Sequence, residues 1–137
     1  MDEQGRMVKK HTESSEQIAA MDWLREQYPH IAEHTMHIGN ERKATFYMGQ
    51  IMKRMGILKG ASDLFMAWPN SGYHGLFIEV KSQKGRLTPH QKEFLKRMQK
   101  VGYKAEVCFG ANEIINTIEN YLHQGQSSSS VTIGAEL

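Results

Sequence analysis

Gly60-Ala61-Ser62-Asp63-Leu64-Phe65-Met66 and Gly75-Leu76-Phe77-Ile78-Glu79-Val80-Lys81 are the stretches whose reading decides the fold. Each is an apolar run bounded by Gly, Pro, Asn or Ser. Between them lies a turn, Pro69-Asn70-Ser71-Gly72-Tyr73-His74-Gly75. Such a pattern predicts two strands of a hairpin. Charges inside apolar strands are costly unless they are paired or bind metal. Asp63, Glu79 and Lys81 are therefore the residues that need a chemical explanation.

Outward from Lys81 the chain keeps a clear rhythm. Ser82-Gln83-Lys84-Gly85-Arg86 is a basic loop. Thr88, Pro89 and Gln91 occupy the N-cap, N1 and N3 positions of a capping box, which predicts a helix from Pro89 to about Val101. Phe94, Leu95, Met98 and Val101 form its apolar face, and Gly102 ends it. Tyr103–Phe109 reads as a strand, and residues 112–123 as a helix with Ile114, Ile115, Ile118 and Leu122 facing inward. Strand, helix and strand make a βαβ unit whose strands run parallel with a right-handed crossover.

Towards the N-terminus, residues 33–39 read as a short strand. Residues 45–55 read as a helix whose buried side is supplied by Phe46, Gly49, Ile51, Met52 and Met55, with its methionines as core filler. A first helix runs from about Glu13 to Tyr28, with Gln17, Ala20, Met21, Leu24 and Tyr28 on one face and Pro29 as its stop. That face extends back to Glu13. From the residues alone, Glu13 reads as helix N-terminal charge favoured by the macrodipole, and Glu16 as a flank residue. The fold class is thus a small α/β domain, a mixed β-sheet flanked by helices. It spans residues 12–123, with a flexible N-terminus (1–11) and a flexible, serine-rich tail (124–137).

Composition narrows the function classes. The 137 residues, 39% hydrophobic and 23% charged, suit one ordinary globular core. No apolar run is long enough to span a membrane, and no secretory signal is visible. The single cysteine, Cys108, excludes a disulfide framework and makes a reducing cytoplasm the expectation. Cys108 reads as a small buried hydrophobe. With a net charge of +2, nucleic-acid binding needs a local basic surface rather than a basic protein.

Residues two apart on a strand share a face, so Glu79 and Lys81 project together, and the hairpin partner can bring Asp63 beside Glu79. Two touching carboxylates repel unless a cation intervenes. Mg²⁺ suits such a site, taking carboxylate and carbonyl oxygens, including that of Val80, and keeping waters. Lys81 could hold the attacking water or stabilise a phosphoryl transition state, which points to phosphodiester hydrolysis. From spacing alone the alternative stays open: Glu79 and Lys81 form an exposed salt bridge and Asp63 is a loop residue. The histidines, His34, His37, His74 and His90, lack zinc spacing; His37, near Asn40, could approach DNA, but the preferred reading is a surface or strand-edge residue.

Glu13-Ser14-Ser15-Glu16-Gln17, Gly60-Ala61-Ser62-Asp63, Phe77-Ile78-Glu79-Val80-Lys81, Gly85-Arg86-Leu87-Thr88-Pro89-His90-Gln91 and Gly102-Tyr103-Lys104-Ala105-Glu106-Val107, in that order, resemble a VRR-NUC domain of the PD-(D/E)xK nuclease superfamily. The resemblance covers roughly residues 13–122 and implies a restriction-endonuclease-like core. It implies Asp63, Glu79 and Lys81 as the motif residues, with Ser62 standing where the motif name has Pro. It also makes Glu13 the helix glutamate. Gln91 matches a motif glutamine, and both a metal-facing and a helix-capping role are open to it. The implied cofactor is Mg²⁺ or Mn²⁺, held by Asp63, Glu79, Val80 and Glu13. The implied activity is a structure-selective DNA endonuclease, resolving Holliday junctions or cutting flaps or DNA ends. A non-catalytic DNA-binding module is the alternative. Similarity to stand-alone phage and prophage members implies a homodimer working on branched DNA in the host-cell cytoplasm. Lys84, Arg86, Arg42, Lys43 and His90 are the candidate phosphate contacts.

Overall fold

The computed structural model of the protein describes residues 12–39 and 45–123. The expected flexible ends, and the expected DNA contacts Arg42 and Lys43, lie outside the described residues. The chain forms α1 (Glu13–Gln27), α2 (Pro29–Ala32), β1 (Thr35–His37), α3 (Phe46–Arg54), β2 (Leu64–Met66), β3 (Leu76–Lys81), α4 (Pro89–Lys100), β4 (Lys104–Phe109) and α5 (Ala111–His123). The four strands lie in sequence order in one sheet. β1, β2 and β3 are antiparallel neighbours, whereas β3 and β4 are parallel, as the βαβ reading requires.

Helices cover both faces of this sheet. Leu76, Ile78 and Val80 of β3 pack with Ala20, Met21 and Leu24 of α1 and with Ile114 and Ile118 of α5. Phe77, on the opposite face, packs with Phe94 and Leu95 of α4 and with Ala105 of β4. Because both faces are covered, all six residues of β3 are buried. This architecture is what carries Glu79 and Lys81 inside.

Three details differ from the sequence reading. Pro29 ends α1 but also opens the single turn of α2, where its fixed φ suits the first helical position. Val101 is 58% exposed because α4 ends at Lys100 and the chain turns away to reach β4. The expected inner side of α3 is absent: no residue of that helix is buried, and Phe46 is 85% exposed. Its amphipathic pattern is real, but no other described element is packed against it.

Candidate active site

Asp63 stands one residue before β2, and the register that places Leu64 opposite Ile78 continues to Asp63 opposite Glu79. The Asp63 carboxylate accepts a hydrogen bond from the Val80 amide at 2.7 Å. It therefore replaces the next rung of the ladder with a side chain, which fixes its direction. A residue's amide and carbonyl leave a strand on the same side, so the Val80 carbonyl also leaves β3 on the Asp63 side.

Two neighbouring glycines make this approach possible. Gly60 has φ +85°, and a Cβ there would lie 2.5 Å from the His90 backbone. The loop leading to Asp63 thus lies directly on the first turn of α4. Gly85 lets the basic loop fold over the Lys81 stem, because a Cβ there would lie 3.2 Å from the Lys81 Cδ.

Asp63, Glu79 and Lys81 are all buried. The Lys81 Nζ lies 3.8 Å from the Glu79 carboxylate. Burial, followed by the charge of Asp63 and a hydrogen bond with it, pushes the Glu79 carboxyl up to about 9; Lys81 opposes this and Glu13 adds to it. At neutral pH the pair therefore shares a proton. The other Glu79 oxygen, Oε1, is buried with no hydrogen-bond partner among the described residues. A buried carboxylate oxygen without a partner, beside a second carboxylate, is the donor set a hard divalent cation would complete. Among the described residues, no three Asp, Glu, His or Cys side chains close into a ready-made cage. A hard divalent cation that keeps several waters would suit these residues better than one held by protein ligands alone.

Beside Asp63 opens a cavity of about 410 Å³, lined also by Glu13, Gln17 and His37, among others. Glu13 lies close enough for its charge to act on Glu79. Glu16, one turn on, is committed elsewhere: its carboxylate accepts from the Ala111 amide at 2.7 Å. That contact satisfies a free donor at the start of α5 and favours the helix dipole. Glu13 and Glu16 thus divide their work. Glu13 faces the cavity, and Glu16 ties its helix to the end of β4.

The remaining expected residues are dispersed around this centre. Gln91 accepts from the Thr88 amide at 2.9 Å, and the Thr88 hydroxyl accepts from the Gln91 amide, so its side-chain oxygen serves the helix cap. Lys84, Arg86 and His90 are exposed on the loop and helix start after Lys81. Cys108 is buried as expected, and burial pushes its thiol up to about 11. No helix among the described residues is long and apolar enough to cross a membrane.

Three contributors escaped the sequence reading. Glu16 looked like a flank residue because its partner is the distant Ala111. Gln17 was read as part of an apolar face, yet it bonds His37 across the cavity wall. Gly85 looked like simple loop punctuation.

This arrangement belongs to the nuclease-type α/β folds. Within that class, residues 11–112 match the model of the VRR-NUC domain, and the chain belongs to that family. A solved structure described as a "VRR_NUC domain protein" is similar to it at 30% identity and a TM-score of 0.75, covering 86% of this chain and 93% of its own. No curated protein matches the sequence.

Proposed function

We propose that the protein is a Mg²⁺- or Mn²⁺-dependent DNA endonuclease that acts on branched DNA as a homodimer. The observation that carries this reading is the buried Asp63–Glu79 pair with Lys81 beside it. Such a group of charges costs stability and is explained by a cation it exists to bind. Asp63 and Glu79 would hold the metal, with the Val80 carbonyl beside them and Glu13 reaching in from α1.

When bound, the metal supplies positive charge for the phosphate and lowers the pKa of water. The protein's own residues do the rest. Glu79 releases its proton as the cation enters. Lys81, packed under Gly85, is placed to hold the attacking water or to stabilise the transition-state oxygens. Water adds to phosphorus and gives up a proton to solvent, the phosphorus–oxygen bond to the leaving sugar breaks, and the leaving oxygen takes up a proton from solvent. Lys84, Arg86 and His90 position the backbone without reading its sequence.

A specific observation favours a second copy of the chain. Phe46, Tyr47 and Met48 of α3, and Met55 at its C-cap, are large hydrophobic side chains left exposed. Covering such side chains offers the drive for association, and two symmetric nicks across a four-way junction need two sites related by a two-fold axis.

The test offers four-way junction, flap, single-stranded and linear duplex DNA with Mg²⁺, Mn²⁺ or EDTA. Wild type, Asp63→Asn and Lys81→Ala are compared. Metal-dependent cleavage, strongest on the junction and abolished in both variants, is expected. No cleavage of any substrate sinks the enzyme reading, and cleavage unchanged in the variants sinks the site assignment. Cleavage of flaps or ends alone sinks the junction preference.

A further inference from the structure

His37 lines the acidic cavity together with Glu13 and Asp63. It pairs with Leu64 at the end of β1, one residue from Asp63. The Ile38 amide donates to the Asp63 carbonyl at 2.8 Å, so this end of the edge strand is tied to the residue that bears the carboxylate. Directly paired residues share a face of the sheet. The His37 side chain therefore emerges on the face of Leu64, which α1 covers, and there it meets Gln17. The Gln17 Nε2 lies 3.1 Å from the His37 Nδ1.

An amide nitrogen can only donate, so with the Gln17 amide placed this way Nδ1 must accept. In the tautomer this contact favours, the ring proton resides on Nε2. Among the described residues none takes that N–H, the side chain is exposed, and both residues line the cavity with Glu13 and Asp63.

We infer that His37, oriented by Gln17, binds a phosphodiester oxygen of DNA at the cavity mouth through its Nε2–H. The inference rests on the nuclease reading and adds a residue to it. A phosphate drawn towards Glu13, Asp63 and Glu79 is repelled until cations screen it. A lysine or arginine in this wall would pair with Glu13 and compete for the carboxylates. A single ring N–H donor, oriented by Gln17, holds the phosphate without committing a full lysine or arginine charge to this wall. Gln17 removes the other tautomer, whose bare Nε2 would repel a phosphate oxygen.

The test measures affinity of the full chain for a four-way junction by fluorescence anisotropy in EDTA and in Ca²⁺, and separately kcat and KM in Mg²⁺. His37→Ala is expected to weaken binding and raise KM about tenfold, the worth of one hydrogen bond to a charged group, with kcat changed by less than about threefold. His37→Gln, whose amide nitrogen can reach the Nε2 position, recovers most of the affinity, and His37→Asn does not. Imidazole ¹⁵N resonances of wild type show the Nε2–H form, and Gln17→Ala admits the Nδ1–H form. An unchanged affinity in His37→Ala, or equal losses in all three His37 variants, overturns the inference. His37-dependent binding without any cleavage keeps the inference and removes the nuclease reading; cleavage with His37-independent affinity does the reverse.

Discussion

Metal binding should expel a proton from the Asp63–Glu79 pair, and the pH dependence follows from the structure. The Glu79 carboxyl is pushed up to about 9, chiefly by burial and by Asp63. Keeping it ionised at pH 7 costs about 3 kcal/mol, and an entering cation must meet that cost. Apparent Mg²⁺ affinity should therefore rise towards tenfold per pH unit between pH 6 and 8, with close to one proton released per ion. Isothermal titration calorimetry in buffers of different ionisation enthalpy reads both quantities. Stability carries the same signature with the opposite sign. Between about pH 4.5 and 9 the folded metal-free protein holds a proton that the unfolded chain has released, so its stability falls as pH rises through that window. Saturating Mg²⁺ should offset the fall, and its stabilising effect should grow with pH. Glu79→Gln should flatten the metal-free profile and abolish the proton release. Flat affinity from pH 6 to 8, with no proton released, would refute the reasoning.

Three further outcomes are expected. Gly60→Ala forces a Cβ to within 2.5 Å of the His90 backbone at φ +85°; it should cost about 2 kcal/mol or more, read as a lower urea midpoint. Glu16→Ala leaves the Ala111 amide without its carboxylate; a loss of about 1 kcal/mol is expected in the same assay, and cleavage should also fall because Glu13 shares that helix. Changing Phe46 on exposed α3 and Met55 at its C-cap to Ser should leave the melting temperature within a few degrees of wild type and convert the proposed dimer to monomer in sedimentation velocity. A dimer that persists would remove α3 from the interface.

Much of the fold was legible because local signals agreed with the tertiary arrangement. The Thr88–Gln91 capping box fixed the start of α4, and the strand–helix–strand order fixed the parallel pair. The apolar pattern of α3 misled, since periodicity marks a face that wants cover but not whether this chain supplies it. At the candidate site, Asp63, Glu79 and Lys81 stood out as charges in apolar strands. Spacing alone left open an exposed Glu79–Lys81 salt bridge with Asp63 in a loop, and only the burial of β3 on both faces removes that alternative. Glu16, Gln17 and His37 act through contacts 20 to 95 residues apart in sequence, which no local pattern encodes.

The most direct measurement is the position of Mn²⁺ in crystals of the protein, located by its anomalous scattering. The account predicts a peak about 2 Å from carboxylate oxygens of both Asp63 and Glu79, absent in Asp63→Asn. A Mn²⁺-soaked crystal with no peak there, and with Asp63 and Glu79 still sharing their hydrogen bond, would contradict it.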